Sequence, residues 1–233
     1  MKNLQTTITV WDAPLRVFHW LMVLSFAGAY LTSESEHWRL VHVTLGYTLG
    51  GLVAFRLVWG LLGTRYARFG GFVRGPAAIL RYLRSLLGSR PEHHVGHNPA
   101  GAIAIVLLLL SSMAIVLTGW ANYNDLGGDW LEELHEGAAN FMLTVVGVHV
   151  AGVVLASWRH RENLVLSMVN GKKAGAPNEG IRWTWRPLAA LILVAVLGFW
   201  WLQWQGRPSG ADVSGGAVAT EKAQYGAHDR DSD

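Results

Sequence analysis

Long apolar runs, each broken by a few polar residues, occupy most of the chain up to position 204. A helix that crosses a membrane needs roughly 20 mostly apolar residues. Five runs reach that length, near 14–32, 40–62, 99–120, 134–157 and 187–204. The third, containing AIAIVLLLLSSMAIVLTGW, is the most uniform; the first, second and fourth are interrupted by His, Arg or several Gly. Asp12 before Ala13-Pro14 suits a helix start. Residues 76–88 place Ile79, Leu80, Leu83, Leu86 and Leu87 opposite Arg81 and Arg84, the pattern of an amphipathic helix on a membrane surface. Trp183 and Trp185 precede the fifth run, and Trp200, Trp201 and Trp204 end it, as interfacial aromatic belts do. The expectation is an all-α, polytopic membrane protein. A four-helix domain fills 1–175, a fifth transmembrane helix lies in 176–205, and a polar tail rich in Gly, Ala and Asp, expected to be disordered, fills 206–233. No internal repeat is visible.

Composition supports this division. Of 233 residues, 51% are hydrophobic and only 15% charged, so the net charge of +3 is not the mark of a nucleic-acid binder. The absence of Cys removes disulfides, thiolate-held zinc, iron–sulfur clusters and covalently attached haem. The N-terminus lacks the pattern of a removable signal peptide, so the first apolar run is expected to be a retained span. Charge placement predicts orientation. Residues 64–98 carry six Arg against Glu92, and 158–186 carry six Lys or Arg against Glu162 and Glu179. On the opposite side, 33–39 hold Glu34 and Glu36 against Arg39, and 121–133 hold Asp125, Asp129, Glu132 and Glu133 without a cation. The basic loops are expected in the cytoplasm. The chain is then an inner-membrane protein with a cytoplasmic N-terminus and a periplasmic C-terminus.

Ionisable residues inside spans are costly and usually functional. His19, His42, His135 and His149 fall in the spans. The topology gives His19 and His149 a common inner depth, and His42 and His135 a common outer depth. His135 and His149 are fourteen residues apart in the fourth span, hence ~21 Å apart along a helix and only ~40° apart around it. Both face the same interior. That arrangement suits two stacked cofactors, each held by one His of the fourth span and one of a neighbour. Haem b fits, since it needs axial nitrogen ligands and an apolar slot without Cys. Gly46 and Gly50 lie one and two turns after His42 on its face, and Gly137 and Gly147 flank the other ligands. They offer clearance for a flat ring, although Gly46 and Gly50 also form a GxxxG helix-packing pattern. A single such His could equally be an interhelical hydrogen bonder; four at two matched depths favour ligation.

Arg56, fourteen residues after His42, reaches the inner depth. It suits bidentate pairing with a haem propionate, with a snorkelling role as the competitor. Arg16, one turn before His19, is either a propionate partner or a positive flank. His37, His93, His94, His97, His160 and His228 read as solvated. Met22, Met113 and Met142 read as apolar filler, although thioethers can ligate haem iron.

Five stretches in order, WDAPLRVFHW, FRLVWGLLGTRYARF, GHNPAGAIAIVLLLL, LHEGAANFMLTVVGVHVAGV and HRENLVLSMVNGKK, resemble the bacterial cytochrome b561 family over roughly residues 8–175. This group includes the cytochrome b subunits of membrane-bound nickel–iron hydrogenases. The resemblance implies a four-helix membrane bundle, two bis-histidine haems b and electron transfer. It places the ligands on His19, His42, His135 and His149, and the family's RLVWG arginine on Arg56. The fifth span and polar tail depart from the minimal pattern. The expected function is electron transfer between the quinone pool and a periplasmic redox partner such as a c-type cytochrome, with quinone or quinol as substrate and membrane lipid as surroundings. One alternative is a quinone-reactive anchor subunit of a hydrogenase-like complex. Another, of a different class, is a haem-free proton or metal transporter using the same histidines.

Overall fold

The computed structural model describes residues 6–72, 75–87 and 94–206. The element order is β1 (Thr6–Thr9), α1 (Ala13–Leu31), α2 (Arg39–Leu62), α3 (Pro76–Leu87), α4 (Pro99–Tyr123), α5 (Asp129–His160), α6 (Leu164–Asn170), β2 (Lys172–Gly175) and α7 (Arg186–Gln205). Five of these helices are long and apolar enough to cross a membrane: α1, α2 with the turn that precedes it, α4, α5 and α7. They are the five spans expected, and the protein is a multi-pass membrane protein. Helix α5 begins five residues earlier than the apolar run does. Its first turn is polar, but Asp129 and Glu132 there complement the helix N-terminus, as Arg159 and His160 complement its end.

Four helices contribute one buried residue each to a common core: Phe26 of α1, Leu49 of α2, Ile115 of α4 and Met142 of α5. Along α5 this core, at Met142, falls midway between His135 and His149. Met22 packs against the same cluster, and Ser112 Oγ lies 3.5 Å from Met142 Sδ. The outward faces are apolar as well, with Leu24, Leu110, Leu117, Val148 and Val154 exposed. Water would penalise such surface by roughly 25 cal/mol per Å², whereas lipid does not.

The end of the bundle that carries the basic loops is closed by structure that the apolar pattern does not announce. Strand β1 pairs antiparallel with β2, with Thr6 opposite Gly175 and Thr9 opposite Lys172. Gly171 precedes β2 with φ +80, and a Cβ there would lie 2.7 Å from the Trp11 carbonyl oxygen. Both the left-handed turn and the close approach require glycine. The Gly171 carbonyl in turn accepts from the Val10 and Trp11 N–H groups. Asp12 is fully buried. Its carboxylate accepts from Leu15 N at 2.8 Å, from Trp59 Nε1 at 3.2 Å and from Thr64 Oγ1 at 2.5 Å. It therefore caps α1 and ties that start to the end of α2. Lys173, nearly buried, lies 3.4 Å from Glu162.

Helix α3 forms where an amphipathic helix is expected. Tyr82 is its buried residue and Leu80 is half exposed; the side chains of Ile79, Leu83, Leu86 and Leu87 lie outside the described residues. The polar tail, beyond Gly206, also lies outside them. The first compact unit ends at Val194 and a second begins at Ala195. The described part of the second is the apolar helical segment to Gln205, followed by Gly206.

Candidate functional site

His42 projects from the first turn of α2 and His135 from the second turn of α5, at the acidic end of the bundle. Their ring centroids are 6.1 Å apart, with the planes inclined by 69°. A ligating imidazole nitrogen stands roughly 2 Å from its metal, so two rings sharing one iron have centroids about 6 Å apart. The orientation is also constrained. His42 Nδ1 lies 2.8 Å from the Ala29 carbonyl oxygen of α1. His135 Nδ1 lies 3.0 Å from the Ile115 carbonyl oxygen of α4 and 3.1 Å from Thr118 Oγ1. A carbonyl only accepts, so each Nδ1 carries the proton and each Nε2 keeps its lone pair. Backbone carbonyls commonly orient metal-binding histidines in this way. Gly119 leaves room for the His135 ring: a Cβ there would come within 2.8 Å of Cε1. A cavity of about 570 Å³ opens over the pair, lined also by Glu34, Arg39, Asp125 and Glu132. The donor set and its free Nε2 atoms fit an iron porphyrin.

Toward the basic end, His19 of α1 and His149 of α5 lie within electrostatic range of each other. His19 Nδ1 is shielded from solvent without a hydrogen-bond partner among the described residues. His42 and His135 are thus in ring contact, while His19 and His149 lie only within electrostatic range; along α5, Met142 of the shared core falls between His135 and His149.

The remaining candidates divide. Arg56 is only 2% exposed, so its guanidinium sits inside the protein. Its Nη1 donates to the Ala67 carbonyl at 3.0 Å, and its guanidinium lies 4.7 Å from the centre of the Phe69 ring. Arg16 Nη1 donates to the Val169 carbonyl at 2.5 Å, tying α1 to α6 rather than standing as a free flank. Gly50 packs closely, since its Cβ would lie 3.0 Å from Val116, while Gly46 faces open space. Gly137 and Gly147 also face open space. The GxxxG pattern therefore packs closely at Gly50 and leaves open space at Gly46.

One expectation is corrected. His37 is exposed, but His97 is not a solvated loop residue. Its ring is clamped between Trp11 at 4.5 Å and Phe72 at 4.6 Å, and its Nδ1 is shielded from solvent. The aromatic partners come from distant parts of the chain, so the polar stretch around His97 gives no sign of burial. His93 and His228 lie outside the described residues. Thr118, Gly119 and the Ala29 and Ile115 carbonyls also escaped sequence reasoning, because backbone groups and small residues carry no signature of their own.

Residues 10–171 match the family described as prokaryotic cytochrome b561. Among curated proteins, the chain is 24% identical to a probable Ni/Fe-hydrogenase B-type cytochrome subunit of Cupriavidus necator, over 73% of this chain and 88% of that one. It is 27% identical to the corresponding protein of Azotobacter vinelandii, over 72% and 88% of the two chains. It is 29% identical to the probable Ni/Fe-hydrogenase 1 B-type cytochrome subunit of Escherichia coli K12, over 50% and 60%. No solved structure matches. The chain belongs to the prokaryotic cytochrome b561 family, and the cofactor that this membership implies is haem b.

Proposed function

We propose that this member of the prokaryotic cytochrome b561 family is a two-haem membrane electron carrier. His42 and His135 ligate an outer haem, and His19 and His149 an inner one. The observation that carries this reading is the His42–His135 pair: two rings 6.1 Å apart, each with Nδ1 committed to a carbonyl oxygen.

Haem b, when bound, carries one electron at a time; the protein supplies its ligands, position and surroundings. Two histidines per iron leave no open coordination position, which suits electron transfer rather than oxygen chemistry. The Ala29 and Ile115 carbonyls hold the outer ligands in one tautomer. The Phe26–Leu49–Ile115–Met142 core keeps water from the space between the two sites. The ~21 Å rise from His135 to His149 separates the two proposed ligand sets. Arg56, buried at the inner depth, would balance a propionate of the inner haem. The basic end lies in the cytoplasm by the positive-inside rule. Electrons pass between the quinone pool and a periplasmic redox partner such as a c-type cytochrome.

A second reading keeps both haems and makes the partner a hydrogenase. It is favoured by the names of the relatives, which are hydrogenase cytochrome subunits. Family membership argues against a haem-free transporter. The ligand assignment is tested by His42→Ala and His135→Ala. Each should lose one haem, the same one, and keep the other in an unchanged b-type spectrum; loss of different haems from the two variants contradicts the pairing. Co-purification from native membranes separates the partners: a c-type cytochrome supports the first reading and a hydrogenase the second.

A further inference from the structure

The cavity at the acidic end has a charge pattern that the two histidines do not explain. It opens over His42 and His135, with a volume of about 570 Å³. Five carboxylate side chains line it: Glu34, Glu36, Asp125, Asp129 and Glu132. Among its described lining residues, Arg39 is the only Lys or Arg. Arg39 is the first residue of α2, three residues before His42, so the two side chains share one face of the helix. Arg39 Nη1 lies 3.8 Å from Glu36, and both side chains are well exposed, at 66% and 90%. An exposed pair of that kind holds its partners weakly, so the guanidinium is available to another anion.

Polarity and charge both direct a haem carboxylate toward this arginine. A haem is apolar except for its two propionates. Inward of the outer pair lies the Phe26–Leu49–Ile115–Met142 core, where an ionised carboxylate is costly to bury. Outward lies the cavity, whose lining also includes Ser33, Ser35 and Asn122. It is the polar exit from the outer site. A propionate that takes this exit meets the five carboxylates of the protein, and Arg39 is the cation that offsets them. The position is otherwise a poor one for arginine. A cation in the first turn of a helix opposes the helix dipole, and Trp38, the N-cap residue, makes no side-chain cap bond. An anion in front of Arg39 relieves that conflict.

We propose that Arg39 binds a propionate of the outer haem, its planar guanidinium donating to the carboxylate. It fixes which edge of the ring faces the acidic surface, and it keeps the carboxylates of the rim from repelling the cofactor. The proposal rests on reading His42 and His135 as the ligands of an outer haem.

The test uses the full chain carrying His149→Ala, so that the outer site is the one that takes haem. The protein is purified without haem from a haem-deficient host. It is titrated with haem b or with haem b dimethyl ester, whose propionates carry no charge, and binding is followed by the bis-histidine absorbance. Adding His42→Ala should abolish the haem b signal. No signal in the parent, or a signal that survives His42→Ala, removes the ligand reading and the proposal with it. Where that reading holds, Arg39→Gln should weaken haem b binding roughly 10- to 100-fold, the worth of a hydrogen bond between charged groups. With the dimethyl ester, Arg39→Gln should bind as tightly as its parent. Arg39→Lys keeps the charge without the fork. It should show a smaller loss, confined in the same way to haem b, and it provides the measurement if the Gln variant does not assemble. Equal haem b affinity in parent and Arg39→Gln overturns the proposal. So does an equal loss with haem b and its ester, which would make Arg39 a structural residue of α2.

Discussion

At the scale of single residues, the His135 ring is placed by three residues of α4. Thr118 Oγ1 and the Ile115 carbonyl face its Nδ1, while Gly119 offers no Cβ. Gly119→Ala would set a methyl group 2.8 Å from Cε1 and 3.1 Å from Nδ1. The ring, the movable partner, swings off its carbonyl. The expected outcome is a roughly 10- to 100-fold loss of affinity at the outer haem, the usual effect of disturbing the groups that orient a metal ligand, with helix content unchanged. Haem retention during dilution and far-UV circular dichroism measure the two separately; equal retention by variant and parent contradicts the placement. His97 makes a second prediction. Its pKa in the fold is about 3, against 6.5 for an ordinary histidine. Between those values the unfolded chain binds the proton and the fold does not, so stability falls as pH falls from about 6.5 toward 3. Thermal melting of the oxidised protein should show this loss, and His97→Phe should show less of it. The histidine pairs were legible in the sequence because a helix fixes rise and rotation per residue. His97 was not, because its burial is made by Trp11 and Phe72 rather than by its neighbours in the chain.

At the scale of elements, the spans were readable because lipid demands length and apolarity from each one separately. Their ends were readable where a cap stood in the sequence, as at Asp12. The β1–β2 pair was not. KKAG carries no strand pattern, and it pairs with the other end of the domain only because Gly171 turns the chain back onto Trp11. Asp12 gathers contacts from α1, α2 and the segment after α2, so Asp12→Ala removes the α1 cap and leaves the Trp59 N–H and Thr64 O–H without their acceptor. Loss of an N-cap costs about 0.5–2 kcal/mol, and each orphaned buried donor about 1–3 kcal/mol more. A fall in melting temperature larger than that of Asp12→Asn is expected, and equal falls contradict the role of the charge. Glu162→Gln separates the same end of the molecule differently. Lys173 is 5% exposed at its side chain, and breaking a buried pair costs about 3–5 kcal/mol. Glu162→Gln with Lys173→Met should recover much of that loss, since the double variant buries no lone charge.

At the scale of the whole molecule, the two ends differ in charge and in construction. The acidic end is open over His42 and His135, and the basic end is closed by the strand pair, α6 and the Asp12 clamp. In the proposed orientation the closed end faces the cytoplasm. The chain has no Cys, so single cysteines report sidedness cleanly. Leu126→Cys, exposed between α4 and α5, should react with an impermeant maleimide added to intact spheroplasts, and Asn178→Cys should react only after lysis. The opposite pattern inverts the orientation and moves the periplasmic partner to the other haem. The number of haems is more central than their orientation, because every role assigned to the histidines depends on it. The most direct measurement is the haem b content per chain of the purified protein, taken by pyridine haemochromogen against protein mass with a reduced-minus-oxidised spectrum. The proposed ligation by two histidine pairs predicts two haems b per chain, both low-spin and six-coordinate; one haem or none would contradict the account.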